Sequence, residues 1–169
     1  LLLALAAPLA AAETQALFNG RTLEGWEGNP ASWRVEDGAI TGEIKAGEKL
    51  AKNEFIYWRG EAGDFELTLE FRLSGVPSAN SGIQFRSRRL PDGHAAGYQA
   101  DMDLGATWLG RIYEEHGRAL LAERGIRVSI APDGRRWTEP FPETVDYAKL
   151  MRPDGAWNTY RILATGPHL

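Results

Sequence analysis

Residues 65–73, Phe65-Glu66-Leu67-Thr68-Leu69-Glu70-Phe71-Arg72-Leu73, alternate apolar and polar without a break. Successive side chains of an extended chain point to opposite faces. Phe65, Leu67, Leu69, Phe71 and Leu73 therefore share one side, and Glu66, Thr68, Glu70 and Arg72 share the other. A helix would scatter both sets around its circumference. The segment predicts a strand with one face on a core and one face free for water or for chemistry. Similar runs predict further strands at Phe55–Trp58, Ile83–Arg86, Tyr98–Met102 and Trp108–Tyr113. Trp33-Arg34-Val35 and Ala39-Ile40-Thr41 flank Asp37-Gly38, a dipeptide that favours a tight hairpin. With 19 Gly and nine Pro to punctuate these runs, the chain reads as all-β, a sandwich or jelly roll. Only two helical patches are expected, near residues 118–124 and 145–150.

A length of 169 residues fits one domain with a real core. The net charge of −4 supplies no basic field for nucleic acid. With no cysteine, disulfide frameworks and thiolate metal sites are excluded. Residues 1–12, LLLALAAPLAAA, are apolar but shorter than the roughly 20 residues a membrane span needs. They read as a truncated remnant of a secretory signal peptide, with Ala10-Ala11-Ala12 before the cleavage point. The expected location is periplasmic or extracellular, with no membrane span once the signal is removed. A buried N-terminal helix is the alternative. After Thr165-Gly166-Pro167 a returning strand should begin at His168-Leu169, so the C-terminal strands are expected to be truncated.

The polar side of the strands is where chemistry can sit. Glu66, Glu70 and Arg72 come from one strand, Gln84 and Arg86 from the next, and Gln99, Asp101 and Asp103 from a third. If these strands share a sheet, carboxylates, amides and guanidinium groups converge on a patch suited to a polyhydroxylated ligand. Asp101 beside Arg86 would have a tuned acidity. A solvated face with cross-strand ion pairs is the plainer alternative. Asn80-Ser81-Gly82 can bring backbone N–H groups to a ligand or form an ordinary turn. Arg111-Ile112-Tyr113-Glu114-Glu115-His116-Gly117-Arg118 is the densest polar run. In it Tyr113, Glu114 and His116 are candidate proton donors, and each can equally be a bystander. No zinc, phosphate-loop, dinucleotide or nucleophile-elbow motif is present. Ca²⁺ or another hard divalent cation, held by Asp and backbone oxygens around Asp101-Met102-Asp103, stays open as a cofactor.

Six blocks in order resemble a known family. They are Leu17-Phe18-Asn19-Gly20-Arg21-Thr22-Leu23-Glu24-Gly25-Trp26, Trp33 to Ile40, Gly63 to Arg72, Asn80 to Arg86, Gly97 to Asp101, and Gly110 to Glu115. Together, over residues 16–169, they resemble the 3-keto-disaccharide hydrolase domain. The resemblance implies a concanavalin A-like jelly roll of two antiparallel sheets. It also implies an exported enzyme that cleaves glycosides already oxidised at C3, by C2 proton abstraction, elimination and water addition. The carbohydrate partner would meet Asp101 as base, Arg86 as enolate stabiliser, and Tyr113, Glu114 or His116 as acid. Glu70, Asn80, Gln84, Gln99, Trp108 and Arg118 would bind substrate, with Glu70 orienting Arg86. Many relatives carry Glu and Gln where this chain has Gln99 and Asp101. A non-catalytic carbohydrate-binding module on the same sandwich is the competing reading, kept open by Trp26, Trp58 and Trp108 as stacking platforms.

Overall fold

The expected alternation becomes short antiparallel strands in a computed structural model that describes residues 14–105, 107–141, 145–150, 152 and 154–169. The signal-like residues 1–12 lie outside the described residues. The chain divides into two compact units, one up to Gly60 and one from Glu61 onward. In the first unit β1 (Trp26–Gly28) pairs with β4 (Ile56–Trp58), and β2 (Trp33–Glu36) pairs with β3 (Ala39–Gly42). Asp37 and Gly38 turn the β2–β3 hairpin at φ of 50° and 75°, the left-handed geometry their dipeptide favours. The opening block Leu17–Trp26 is a folded turn. The Asn19 side-chain oxygen accepts from the Arg21 and Thr22 amides at 2.8 and 2.9 Å, and the Trp26 indole N–H donates to the Leu17 carbonyl at 2.8 Å.

The second unit contains β5 (Phe65–Phe71), β6 (Asn80–Arg89), β7 (Ala95–Asp103), β8 (Ile112–Glu115), β9 (Ala119–Ala122), β10 (Ile126–Ile130) and β11 (Arg136–Pro140). A single helical turn, α1 (Tyr147–Leu150), precedes β12 (Asn158–Ala164). Strands β6-β7-β8-β9 form one sheet, while β5 pairs with β12 and β10 with β11. Every pairing is antiparallel. Phe65 and Leu67 of β5 and Tyr160 and Ile162 of β12 pack against Ile83, Phe85, Tyr98, Ala100 and Ile112 of the larger sheet. That interdigitation makes the second unit an all-β sandwich of jelly-roll type, as the sequence predicts. No helix among the described residues is long and apolar enough to cross a membrane.

Three local expectations are corrected. The helical patch near 118–124 is a turn followed by strand β9. Trp108–Gly110 is loop, so the strand expected over 108–113 begins only at Ile112. Strand β5 neighbours β12 and not β6, which removes Glu70 from the face carrying Gln84 and Asp101. After β12, Thr165 and His168 pair across Gly166-Pro167, so the chain does turn back as expected.

Candidate functional site

Cross-strand register assembles the site. Gly82 lies opposite Asp101, Gln84 opposite Gln99, Gln99 opposite Tyr113, and Gly97 opposite Glu115. The intervening residues Ile83, Phe85, Tyr98, Ala100 and Ile112 face the core. Alternation therefore puts Gln84, Gln99, Asp101, Arg111, Tyr113 and Glu115 on the outer, polar face of β6–β8. Gln84, Gln99 and Asp101, with Ser87, form a connected ribbon. The Ser87 hydroxyl lies 3.0 Å from Gln84 Oε1, Gln84 Nε2 donates to Gln99 Oε1 at 2.8 Å, and Gln99 Nε2 donates to Asp101 Oδ1 at 2.5 Å.

Asp101 is 3% exposed, and its Oδ2 is buried without a hydrogen-bond partner among the described residues. Burial pushes its carboxyl from 3.8 up to about 6; the Gln99 amide works against that, Glu115 and Asp103 add to it, and Arg111 opposes it. Arg111 gives its Nε to Glu123 at 2.7 Å and holds its guanidinium 4.8 Å from the centre of the Trp108 ring. Trp108 in turn meets Tyr113 edge-on, ring centres 6.3 Å apart. From behind, the half-buried Tyr160 hydroxyl donates to the Asp101 carbonyl and accepts from the Gly110 amide. This fixes the backbone at the end of β7. Burial pushes the Tyr160 hydroxyl up to about 12, so it stays a neutral donor.

Several residues singled out in the sequence sit elsewhere. Arg86 is turned off the polar face by a bulge between Phe85 and Arg88. Its guanidinium instead bonds the Gly63 carbonyl, Asp64 Oδ1 and the Gly166 carbonyl at 3.2, 2.9 and 2.6 Å. Asp64, not Glu70, orients it. Glu114 faces the opposite side from Tyr113, because it pairs with Tyr98 across the strands. There it binds Arg118, whose guanidinium also reaches the Tyr98 hydroxyl at 3.3 Å, and this pairing holds the Glu114 carboxyl below its usual range. Glu114 and Arg118 are thus partners in a local pair away from Asp101. His116 sits in the β8–β9 turn at φ of 54° with its ring 5.5 Å from that of His94. It lines an open cavity of about 430 Å³ that reaches Ser87 and Glu115 on the edge of the polar face. Asn80 is exposed at the far end of β6, opposite Asp103. Both Asp103 oxygens accept backbone N–H bonds, from Gly105 at 2.9 Å and Trp108 at 2.7 Å, which ties down the loop after β7. No group of three or more His, Asp and Glu with metal-binding geometry occurs among the described residues.

Arg111, Glu115 and Ser87 are site residues that the sequence reading does not single out. For Arg111 and Glu115 the signal is present, since Arg111, Tyr113 and Glu115 stand at i, i+2 and i+4 and so share one side of an extended chain. Trp108, Gln84, Gln99, Asp101 and Tyr113 do come together. Among curated proteins none matches the chain at a significant level. A family model for the 3-keto-alpha-glucoside-1,2-lyase-like domain matches residues 13–169, and the chain belongs to that family.

Proposed function

We propose that this protein cleaves the glycosidic bond of glycosides oxidised at C3, with Asp101 as general base. The observation that carries the reading is the buried Asp101 carboxyl, its Oδ2 unpartnered, on the same face as Arg111 and Tyr113. A C3 ketone acidifies the C2 proton. Asp101 takes that proton; the electron pair forms the C1–C2 double bond as the C1–O bond breaks, and the leaving oxygen receives a proton. Water then adds across C1–C2. A base titrating near 6 is ionised at neutral pH yet strong enough for the transfer. Arg111 is the cation that can hold the developing enolate, a task the turned-away Arg86 cannot reach. Tyr113 is the proton donor for the leaving group, and Gln99 orients substrate hydroxyls. Because Oδ2 is closed to solvent, substrate must displace a neighbour to meet it; Gln99 and Arg111 are both partly exposed.

Incubation with a 3-keto-glycoside and its unoxidised parent tests the reading. Release of aglycone from the oxidised substrate alone is expected. Asp101→Asn should lower that rate by about 100-fold or more while the far-UV spectrum stays unchanged. Binding of both sugars without turnover would instead favour a carbohydrate-binding module, a reading supported by Trp108 being 40% exposed beside the site. Export to the periplasm or beyond, expected from residues 1–12, belongs to the same proposal and is read by cell fractionation.

A further inference from the structure

The bulge in β6 that removes Arg86 from the polar face also brings a different side chain onto it. Arg86 is a non-glycine residue at φ of 46°, a left-handed conformation that a side chain with a Cβ disfavours. In a regular strand Arg86 would follow Gln84 on the polar side and Ser87 would point to the core. With the register shifted, the Ser87 hydroxyl comes within 3.0 Å of Gln84 Oε1 and 2.9 Å of the Phe85 carbonyl.

Two glycines make room for this arrangement. A Cβ on Gly97 would lie 2.3 Å from Ser87 Oγ and 2.8 Å from the Arg86 carbonyl oxygen. A Cβ on Gly82 would lie 2.7 Å from both Cγ and Cδ of Gln99. The ribbon Ser87–Gln84–Gln99–Asp101 is therefore laid over two bare backbone positions, one on each strand.

An amide has a donor end and an acceptor end, so a chain of two glutamines has a direction. Here the Ser87 hydroxyl, whose single proton is shared between the Phe85 carbonyl at 2.9 Å and Gln84 Oε1 at 3.0 Å, meets the first amide carbonyl. Each amide then offers its N–H₂ to the next acceptor, ending on Asp101 Oδ1. We propose that Ser87 and Gln84 are positioning residues that hold the Gln99 amide with its N–H₂ toward Asp101 and so favour the carboxylate form of this buried acid. Without the Ser87 donor, Gln84 is free to turn round, and Gln99 can then present its carbonyl to Asp101, which suits only the protonated acid. The other charges acting on Asp101 are Glu115 and Arg111 from the β8 side and Asp103 on β7, with the Tyr160 hydroxyl of β12 on its backbone carbonyl. Among the described residues, Ser87 and Gln84 bond through their side chains to each other, to the Phe85 carbonyl and to Gln99.

The test is a titration of the Asp101 carboxyl carbon by NMR in the whole chain, alongside the pH profile of kcat/KM on a 3-keto-glycoside. Gln99→Met removes the direct donor and should raise the midpoint most. Gln84→Met and Ser87→Ala should each raise it by about half a pH unit, in line with cooperative strengthening along such a chain. Ser87→Thr keeps the hydroxyl and should restore the wild-type midpoint. Gln84→Met reads the same chain without altering the bulge, should Ser87→Ala fold poorly. Unmoved midpoints in both Ser87→Ala and Gln84→Met, with Gln99→Met shifted, would overturn the proposal. The kinetic arm rests on the proposed function, whereas the NMR arm does not. Shifted NMR midpoints with an unmoved acid limb would sink Asp101 as catalytic base and leave the positioning inference standing.

Discussion

Strands β5 and β6 face each other across one core, β5 with apolar residues at every second position and β6 with Ile83 and Phe85. Their polar sides have different fates. Along β5 the alternation is unbroken, and its outward residues do surface work: Glu66, for instance, pairs with Arg161 in a mostly exposed bidentate contact. Along β6 one irregularity after Phe85 exchanges Arg86 for Ser87, and the outward residues become a half-buried hydrogen-bonded ribbon that ends on a buried acid. The difference lies in the partner strand. β12 offers a side chain at each position that faces the outside of β5, whereas β7 offers Gly97 where β6 bulges. A regular strand places side chains by parity; a bulged one places them by what its neighbour leaves empty.

This contrast breaks most completely if the empty position is filled. Gly97→Val sets a Cβ against Ser87 and Arg86 backbone atoms at a φ of 149°, and should cost about 3 kcal/mol in urea unfolding. The acid at the end of the ribbon provides the next test. Asp101 has a folded-state carboxyl raised from 3.8 to about 6, so the folded protein holds more protons than the unfolded chain in that window. Stability from this group is therefore greatest below pH 4 and falls as pH rises through 6, by at most about 3 kcal/mol. Asp101→Asn should flatten that part of the pH–stability curve, which is read as the difference between variant and wild type.

Arg86→Ala removes three contacts from the displaced side chain and should cost about 2 kcal/mol. Most of that loss comes from the two backbone carbonyls, because Asp64 is 62% exposed and its ion pair is well screened. Arg86→Lys should not restore it, since one ammonium cannot span three acceptors in a fork. The smallest effect belongs to β5. Glu66→Gln should leave the urea midpoint unchanged, because the pair it breaks is open to water.

These regions also show how far the sequence could be read. The strands at Phe65–Leu73 and around Asp37-Gly38 were legible because side-chain period and turn chemistry are local properties. Strand β10, Ile126–Ile130, alternates just as clearly and carries the same local signal. Gln84, Gln99 and Asp101 were legible as a polar face for the same reason. Arg86 was not, because nothing in Phe85-Arg86-Ser87-Arg88 announces a bulge. Its cause lies on the neighbouring strand, in a glycine whose meaning depends on register. Glu114 was misplaced for a simpler reason. It is adjacent to Tyr113 on one strand, and adjacent strand residues cannot serve the same side.

The grip of Arg86 on residue 166 carries a consequence for how the molecule is assembled. The contact joins positions 80 residues apart, and the same side chain reaches back 23 residues to Gly63. Loops of that span close slowly, after the local hairpins have formed. A chain threaded out N-terminus first cannot fasten Arg86 until Gly166 has been delivered. A polypeptide halted short of Gly166 would have most of its sheets and a bulge still missing the clasp on its outer side chain.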